Sequence, residues 1–194
     1  MPMATPKLHL ASQSPRRQEI LRSLGLSFTA AGADVNEQRL ERELPETMAL
    51  RLSRDKAMAA DVDPSRIVVG ADTLVVLGDM VFGKPEDRDD CLEMLASLSG
   101  RTHRVLTGVA VLASGKVQTV VSTTEVRFRE IGPDEALAYW HSGEPCDKAG
   151  AYAIQGRGGI FVEAISGSYS GVVGLPVFET SQLLRNVGLR VLTE

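Results

Sequence analysis

Arg104 to Ala113 is apolar on both of the faces that alternate along an extended chain, and Ser114-Gly115 then turns it into Lys116 to Arg129, where Thr and Val alternate. A run that is apolar on both sides cannot be a half-solvated strand and belongs in the middle of a covered sheet. The alternating run after it fits an antiparallel neighbour. A chain of 194 residues, 43% hydrophobic and 24% charged, is long enough to cover such a sheet, and its composition excludes collagen-like, disordered and disulfide-stapled classes.

Other segments supply the cover. Lys7 to Ala11 reads as a short opening strand, followed at once by a helix with Ser14 as N-cap, Pro15 at the first position and Gly25 as terminator. Helical spacing recurs from Pro45 to Ala60, Asp87 to Ser97, Pro133 to Ser142 and Val177 to Asn186. Ile67 to Ala71 reads as a buried strand ending on Asp72, and Gly78-Asp79 makes a hairpin between Leu74–Leu77 and Met80–Phe82. Gly143 to Pro176 is Gly-rich and holds two short apolar runs, Gly159–Val162 and Val172–Leu175. No repeat or linker interrupts the chain, so residues 1–194 are expected to form one domain, with Met1 to Pro6 a disordered leader. The fold class is α/β: a mixed, elongated central sheet with flanking helices. If the long 104–129 hairpin projects from one end, it gives two lobes and a cleft.

Charge narrows the partners. Lys plus Arg number 21 against 25 Asp plus Glu, a net charge of −4, which leaves no basic surplus for a nucleic-acid backbone. Cys91 and Cys146 stand far apart with no secretory leader before them, so a reduced, cytoplasmic protein is expected, and no apolar run is long enough for a membrane span.

Several familiar motifs fail on inspection. Gly78 to Lys84 has the spacing of a phosphate-binding P-loop, but Pro85 replaces the required Ser or Thr and cannot continue a helix. Gly167-Ser-Tyr-Ser-Gly171 has Tyr at the centre of a would-be nucleophile elbow, and Gly156-Arg-Gly158-Gly159 lacks the third spaced glycine of a dinucleotide loop. His9, His103 and His141 form no ligand pair and read as surface or edge-of-core residues.

Ser12-Gln13-Ser14-Pro15-Arg16-Arg17 is more informative. It puts two arginines in the first turn of a helix, where the macrodipole disfavours each cation by about 0.3–1 kcal/mol unless an anion is present. With the turn's amides and the hydroxyls of Ser12 and Ser14 they would make a receptor for phosphate oxygens; alternatively they point into water or pair with Glu19. Asp72, at the end of a buried strand, can hold a divalent cation, orient a water, or cap a turn through Thr73. Lys84 sits on a stiff Gly-Lys-Pro turn and alone reads as a solvated lysine. Gln155, among small residues that let a flat ligand approach, can read a base edge with both donor and acceptor. Cys146, beside Asp147 and without a nearby histidine, reads as inert.

Ser12-Gln-Ser-Pro-Arg-Arg17, Gly70-Ala-Asp-Thr73, Gly83-Lys-Pro85, Ser99-Gly-Arg-Thr-His103 with Thr107-Gly108, Asp147-Lys-Ala-Gly-Ala-Tyr152 with Ile154-Gln-Gly156, and Gly167-Ser-Tyr169 with Val173-Gly-Leu-Pro176 together resemble the Maf family of nucleoside triphosphate pyrophosphatases, in order and in spacing. The resemblance implies a fold like that of the inosine triphosphate pyrophosphatases and hydrolysis of a nucleoside triphosphate to monophosphate and pyrophosphate with a divalent metal, magnesium or manganese. It implies Asp72 as general base, with Glu37 and Lys84 beside it in the catalytic group. Asp72 and Glu37 would hold the metal, and Ser12, Arg17, Lys56 and Lys84 would surround the triphosphate. Asn36 stands where a carboxylate is common, which makes Asp34 the alternative to Glu37. Arg16, Thr73 and Gln155 match the specificity positions of the branch acting on dTTP and UTP, whereas the 7-methyl-GTP branch fits poorly. A homodimer is a candidate assembly, and a nucleotide-binding regulator of cell division is the alternative function.

Overall fold

The computed structural model describes residues 7–192; the expected leader, Met1 to Pro6, lies outside them. Seven strands form one sheet: β1 (Leu8–Leu10), β2 (Phe28–Ala30), β3 (Ile67–Leu77), β4 (Met80–Phe82), β5 (Thr102–Ala113), β6 (Lys116–Phe128) and β7 (Val162–Ser166). The order is β2-β1-β3-β5-β6-β7, with β4 paired to β3. β1 runs parallel to β2 and β3 and the other pairs are antiparallel, so the sheet is mixed as expected. Helices α1 (Pro15–Ser23), α2 (Pro45–Met58), α3 (Arg88–Leu98), α4 (Pro133–His141), α5 (Tyr169–Val173) and α6 (Val177–Asn186) flank it, and three 3₁₀ turns fill the stretch between Glu144 and Phe161.

The doubly apolar run is β5, which lies between β3 and β6 over most of its length. Its turn has positive φ at both Ser114 (49°) and Gly115 (74°), the backbone of a type I′ hairpin, whose twist matches that of the flanking strands. The hairpin does not project. It is the spine that two core clusters share: Val109 and Val111 pack with Leu8, Leu10, Leu21, Val69 and Leu184 at one end, and Val105 and Val126 with Leu95, Leu98, Phe128, Tyr152 and Phe161 at the other. Two cores strung along the same strands make the two lobes.

Asp72 does not end a strand. β3 continues through it to Leu77, because Asp72 is hydrogen-bonded from its own face and does not interrupt the ladder to β5, where it sits opposite Gly108. The other edge of β3 is what changes here. β1 pairs with β3 only as far as Val69 and β4 only from Val75, so among the described residues Gly70 to Leu74 have a strand neighbour on one side alone. The sheet is open at that gap, and side chains from both of its faces can reach it.

Helix α2 covers the face that carries Asp72 at unusually short range. A Cβ on Gly70 would stand 2.2 Å from the Ser53 carbonyl oxygen, and one on Gly108 would stand 2.1 Å from that of Ala49. Both contacts are to helix backbone, which cannot rotate away. Gly70→Ala is therefore expected to force α2 off the sheet and cost about 1–3 kcal/mol, the usual penalty for overpacking; urea unfolding measures it. Stability unchanged within about 0.3 kcal/mol would show that the helix seat is compliant.

Candidate active site

The gap in β3 opens into a cleft of about 990 Å³ lined by Ser12, Arg16, Arg17, Glu37, Lys56, Asp72, Thr73, Lys84 and Gln155, among others. The structure thus brings every expected site residue to one cavity. Asp34, the alternative to Glu37, is exposed and is not among the lining residues.

On one face of the sheet, Lys56 follows Ala49 and Leu52 on the buried side of α2, at helical spacing. Its ammonium lies 2.6 Å from Asp72 Oδ1 and 2.6 Å from Glu37 Oε1. The Lys56 and Asp72 side chains are only 12% and 9% exposed, so the pair is largely desolvated. Removing one partner of such a pair characteristically costs about 3–5 kcal/mol, because the other charge is left without compensation. Glu37, on the loop before α2, is more open. Partial burial works against its ionised form, but the hydrogen bond from Lys56 and the charges of Lys56, Lys84 and Arg17 hold it below the usual carboxylate range.

On the other face, Ser14 caps α1 by accepting from the Arg17 amide, and Ser12 Oγ accepts from the Ser14 amide at 3.2 Å. The Arg17 guanidinium, pushed below its ordinary value by burial, donates to the Gly174 carbonyl at 2.8 Å, to Ser12 Oγ at 3.2 Å and to Thr73 Oγ1 at 3.2 Å. Thr73 Oγ1 also lies 3.0 Å from Thr107 Oγ1, which donates to the Gly171 carbonyl at 2.8 Å. Arg16 pairs with Asp147 at 3.3 Å. Neither arginine uses Glu19; apart from Ser12, their partners Asp147, Gly174 and Thr73 are distant in sequence and were not readable from the neighbouring residues.

Sequence reasoning passed over Asp147 and Lys148, which pair with each other and line the cleft opposite Arg16. Their signal was present in the Asp147-to-Tyr152 block, where two opposite charges precede a run of small residues. Arg39, which also lines the cleft, ties the Glu37 loop to the β3–β4 turn by donating to the Glu43 and Asp79 carbonyls. Cys146 is exposed and absent from the lining.

The donor set suits a hard divalent cation. Asp72 and Glu37 approach the same ammonium, so their carboxylates are neighbours, and magnesium commonly takes one or two protein carboxylates with substrate phosphates and water completing its shell. Among the described residues no group of three or more His, Cys, Asp or Glu stands together as a metal site.

His103 is not at an edge. It is 1% exposed, in T-shaped contact with Phe128 and with Tyr152 of the cleft wall, and its Nε2 lies 2.9 Å from the Tyr152 hydroxyl. Burial pushes its pKa down to about 4. Between that value and the unfolded value near 6.5 the unfolded chain holds the extra proton, so acidification through this window favours unfolding. The His103 contribution alone should lower wild-type stability by on the order of 3 kcal/mol from pH ~6.5 to pH ~4, and that contribution levels off below. His103→Gln should flatten that part of the curve in pH-dependent urea unfolding; an identical curve would assign the loss to carboxylates.

The fold and the cleft define a class: a mixed α/β protein with a solvent-open site in which guanidinium, ammonium and paired carboxylate groups converge, suited to a phosphate-bearing ligand accompanied by a cation. Residues 7–187 match the family described as Maf-like protein, and the chain belongs to that family. It is 51% identical over 184 residues to a protein of Vibrio cholerae serotype O1 named dTTP/UTP pyrophosphatase, covering 94% of this chain and 98% of that one. A Pseudoalteromonas atlantica protein of the same name is 46% identical over 187 residues, covering 94% and 97%. Among solved structures, a HAM1 protein from Coxiella burnetii aligns over 92% of this chain and 98% of its own at 16% identity, with a TM-score of 0.49. The fold class rests on the strand order described above.

Proposed function

We propose that this chain hydrolyses dTTP and UTP to the nucleoside monophosphate and pyrophosphate. The observation that carries the reading is the meeting of Arg17, Lys56 and Lys84 with Asp72 and Glu37 in one cleft of a chain about half identical to proteins of that name. A net charge of −4 favours a free nucleotide over a nucleic-acid strand, because the cations are local to the cleft. Two unpaired cysteines suit the reducing cytoplasm.

Arg17 and Lys84 bind the phosphate oxygens, and Ser12 and Thr73 keep the Arg17 fork aimed. Asp72 Oδ1 is engaged by Lys56, which leaves Oδ2 to take the proton of the attacking water as oxygen bonds to the α-phosphorus and the α–β bridging bond breaks. The Lys56 ammonium, 2.6 Å from Oδ1, holds the Asp72 carboxylate in one orientation for that task. Asp72 and Glu37 would hold a divalent cation, magnesium or manganese, which supplies neutralisation of the charge on the phosphates. At the far side, the Gln155 amide reads the pyrimidine edge, with Arg16 and Thr73 bounding the same space.

Purified protein supplied with manganese should release pyrophosphate and monophosphate from dTTP and UTP faster than from other nucleotides; orthophosphate alone, or no turnover of any nucleotide, would refute the reading. Asp72→Asn should lower kcat about 100-fold or more with the fold intact by circular dichroism, as expected when a positioned general base is lost. Wild-type turnover in that variant would remove Asp72 from the chemistry.

A further inference from the structure

Glu144 is not among the residues lining the cleft, yet its carboxylate is turned toward the loop that carries Gln155. Its Oε1 accepts from the Tyr139 hydroxyl at 2.7 Å and from the Gly158 amide at 3.0 Å, and its Oε2 accepts from the Arg157 amide at 3.0 Å. The Tyr139 hydroxyl in turn accepts from the Ala153 amide at 3.1 Å. One carboxylate and one phenol therefore hold the backbone two residues before Gln155 and two and three residues after it. Between the held ends, Gln155 and Gly156 are exposed.

The contact requires residues without side chains. A Cβ on Gly156 would meet Glu144 Oε2 at 2.3 Å, and one on Gly158 would meet the Tyr139 hydroxyl at 2.6 Å. Tyr139 is itself 5% exposed within the large aromatic core, so the clamp is anchored in the lobe and not in the loop it holds. Burial disfavours the Glu144 charge, but the Gly158 and Arg157 amides and the Tyr139 hydroxyl keep its pKa below the usual carboxylate range, and it remains a full anionic acceptor.

We propose that Glu144, acting through Tyr139 and the Arg157 and Gly158 amides, is a positioning residue for base recognition: it fixes the Ala153–Gly158 loop so that the Gln155 amide meets a pyrimidine in one geometry. This rests on the proposed role of Gln155. Discrimination between bases by a single amide requires that donor and acceptor stay where they are, since an amide free to shift by about 1 Å accepts a wrong base's edge as readily as the right one's. Binding of the triphosphate, which involves other elements, does not depend on this loop.

The test compares kcat and KM for dTTP, UTP, dCTP and dATP in the wild-type protein, in Glu144→Gln and in Tyr139→Phe, with thermal melting in parallel. Glu144→Gln turns one acceptor into a donor facing an amide; Tyr139→Phe keeps the ring in the core and deletes only the hydroxyl, so it carries the test if the first variant folds poorly. In both, KM for dTTP should rise about tenfold with kcat within about threefold of wild type, and the preference for dTTP over dCTP in kcat/KM should shrink at least about fivefold. A lowered melting temperature with an unchanged base preference would reduce the clamp to a structural stitch and overturn the proposal. A wild-type protein that turns over nucleotides without base preference would instead overturn the role of Gln155, and this proposal with it.

Discussion

The seat of α2 on the sheet is the contact from which the site follows. Only glycine at positions 70 and 108 lets helix carbonyls approach the strands this closely, and the approach is what brings Lys56, four residues beyond Leu52, down to Asp72. For an ammonium and a carboxylate so little exposed, the direct contact between them offsets the loss of hydration of each. Their pairing then reaches outward to Glu37, whose loop has its own support: Arg51 donates to the Glu43 carboxylate and to the Gln38 carbonyl, next to Glu37. A backbone fit between helix and sheet is thus converted into a fixed arrangement of two carboxylates at the mouth of a cleft.

A polar pair buried beneath a helix would have no access to a ligand if β3 were paired along both edges. Access comes from the interval in which β1 has stopped and β4 has not begun. Asp72 and Thr73 point to opposite faces of the strand, as consecutive residues must. One is joined to α2 through Lys56 and the other to α1 through Arg17, and the open edge lets both groups of residues line one cavity. The break in the sheet does for this fold what the ends of strands do in parallel α/β folds.

Much of this was legible in the sequence, for identifiable reasons. The doubly apolar run gave β5, the Ser-Pro-Arg-Arg corner gave the start of α1, and the two arginines singled out against the helix dipole both line the cleft. The extent of β3 was not legible, because Asp72 interrupts the apolar pattern and only its ion pair shows why the ladder continues. β2, three residues long and half exposed, exists through its pairing with β1 and carries no periodic signal of its own. Two partners, Asp147 for Arg16 and Gly174 for Arg17, were equally hidden, since they lie more than a hundred residues away. Gln155 could be picked out as a candidate that the structure places in the cleft wall, but the Glu144 and Tyr139 contacts that hold its loop could not, because they run from one acidic side chain and one phenol to main-chain amides, which every residue except proline carries.

The charge arrangement also bears on what the cleft refuses. Lys56 is shared by two carboxylates and Arg16 is engaged by Asp147, so only part of the positive charge lining the cavity is available to an incoming anion. Arg17 and Lys84 attract phosphate oxygens, while Asp72 and Glu37 repel any that come near without a countercharge. Under the proposed function this mixture discriminates by stoichiometry: a polyphosphate that arrives with its own cation satisfies both signs at once, whereas a bare anion satisfies one and is repelled by the other. An acidic protein can in this way handle a strongly anionic substrate without a generally basic surface, and avoid the nonspecific nucleic-acid binding that such a surface brings.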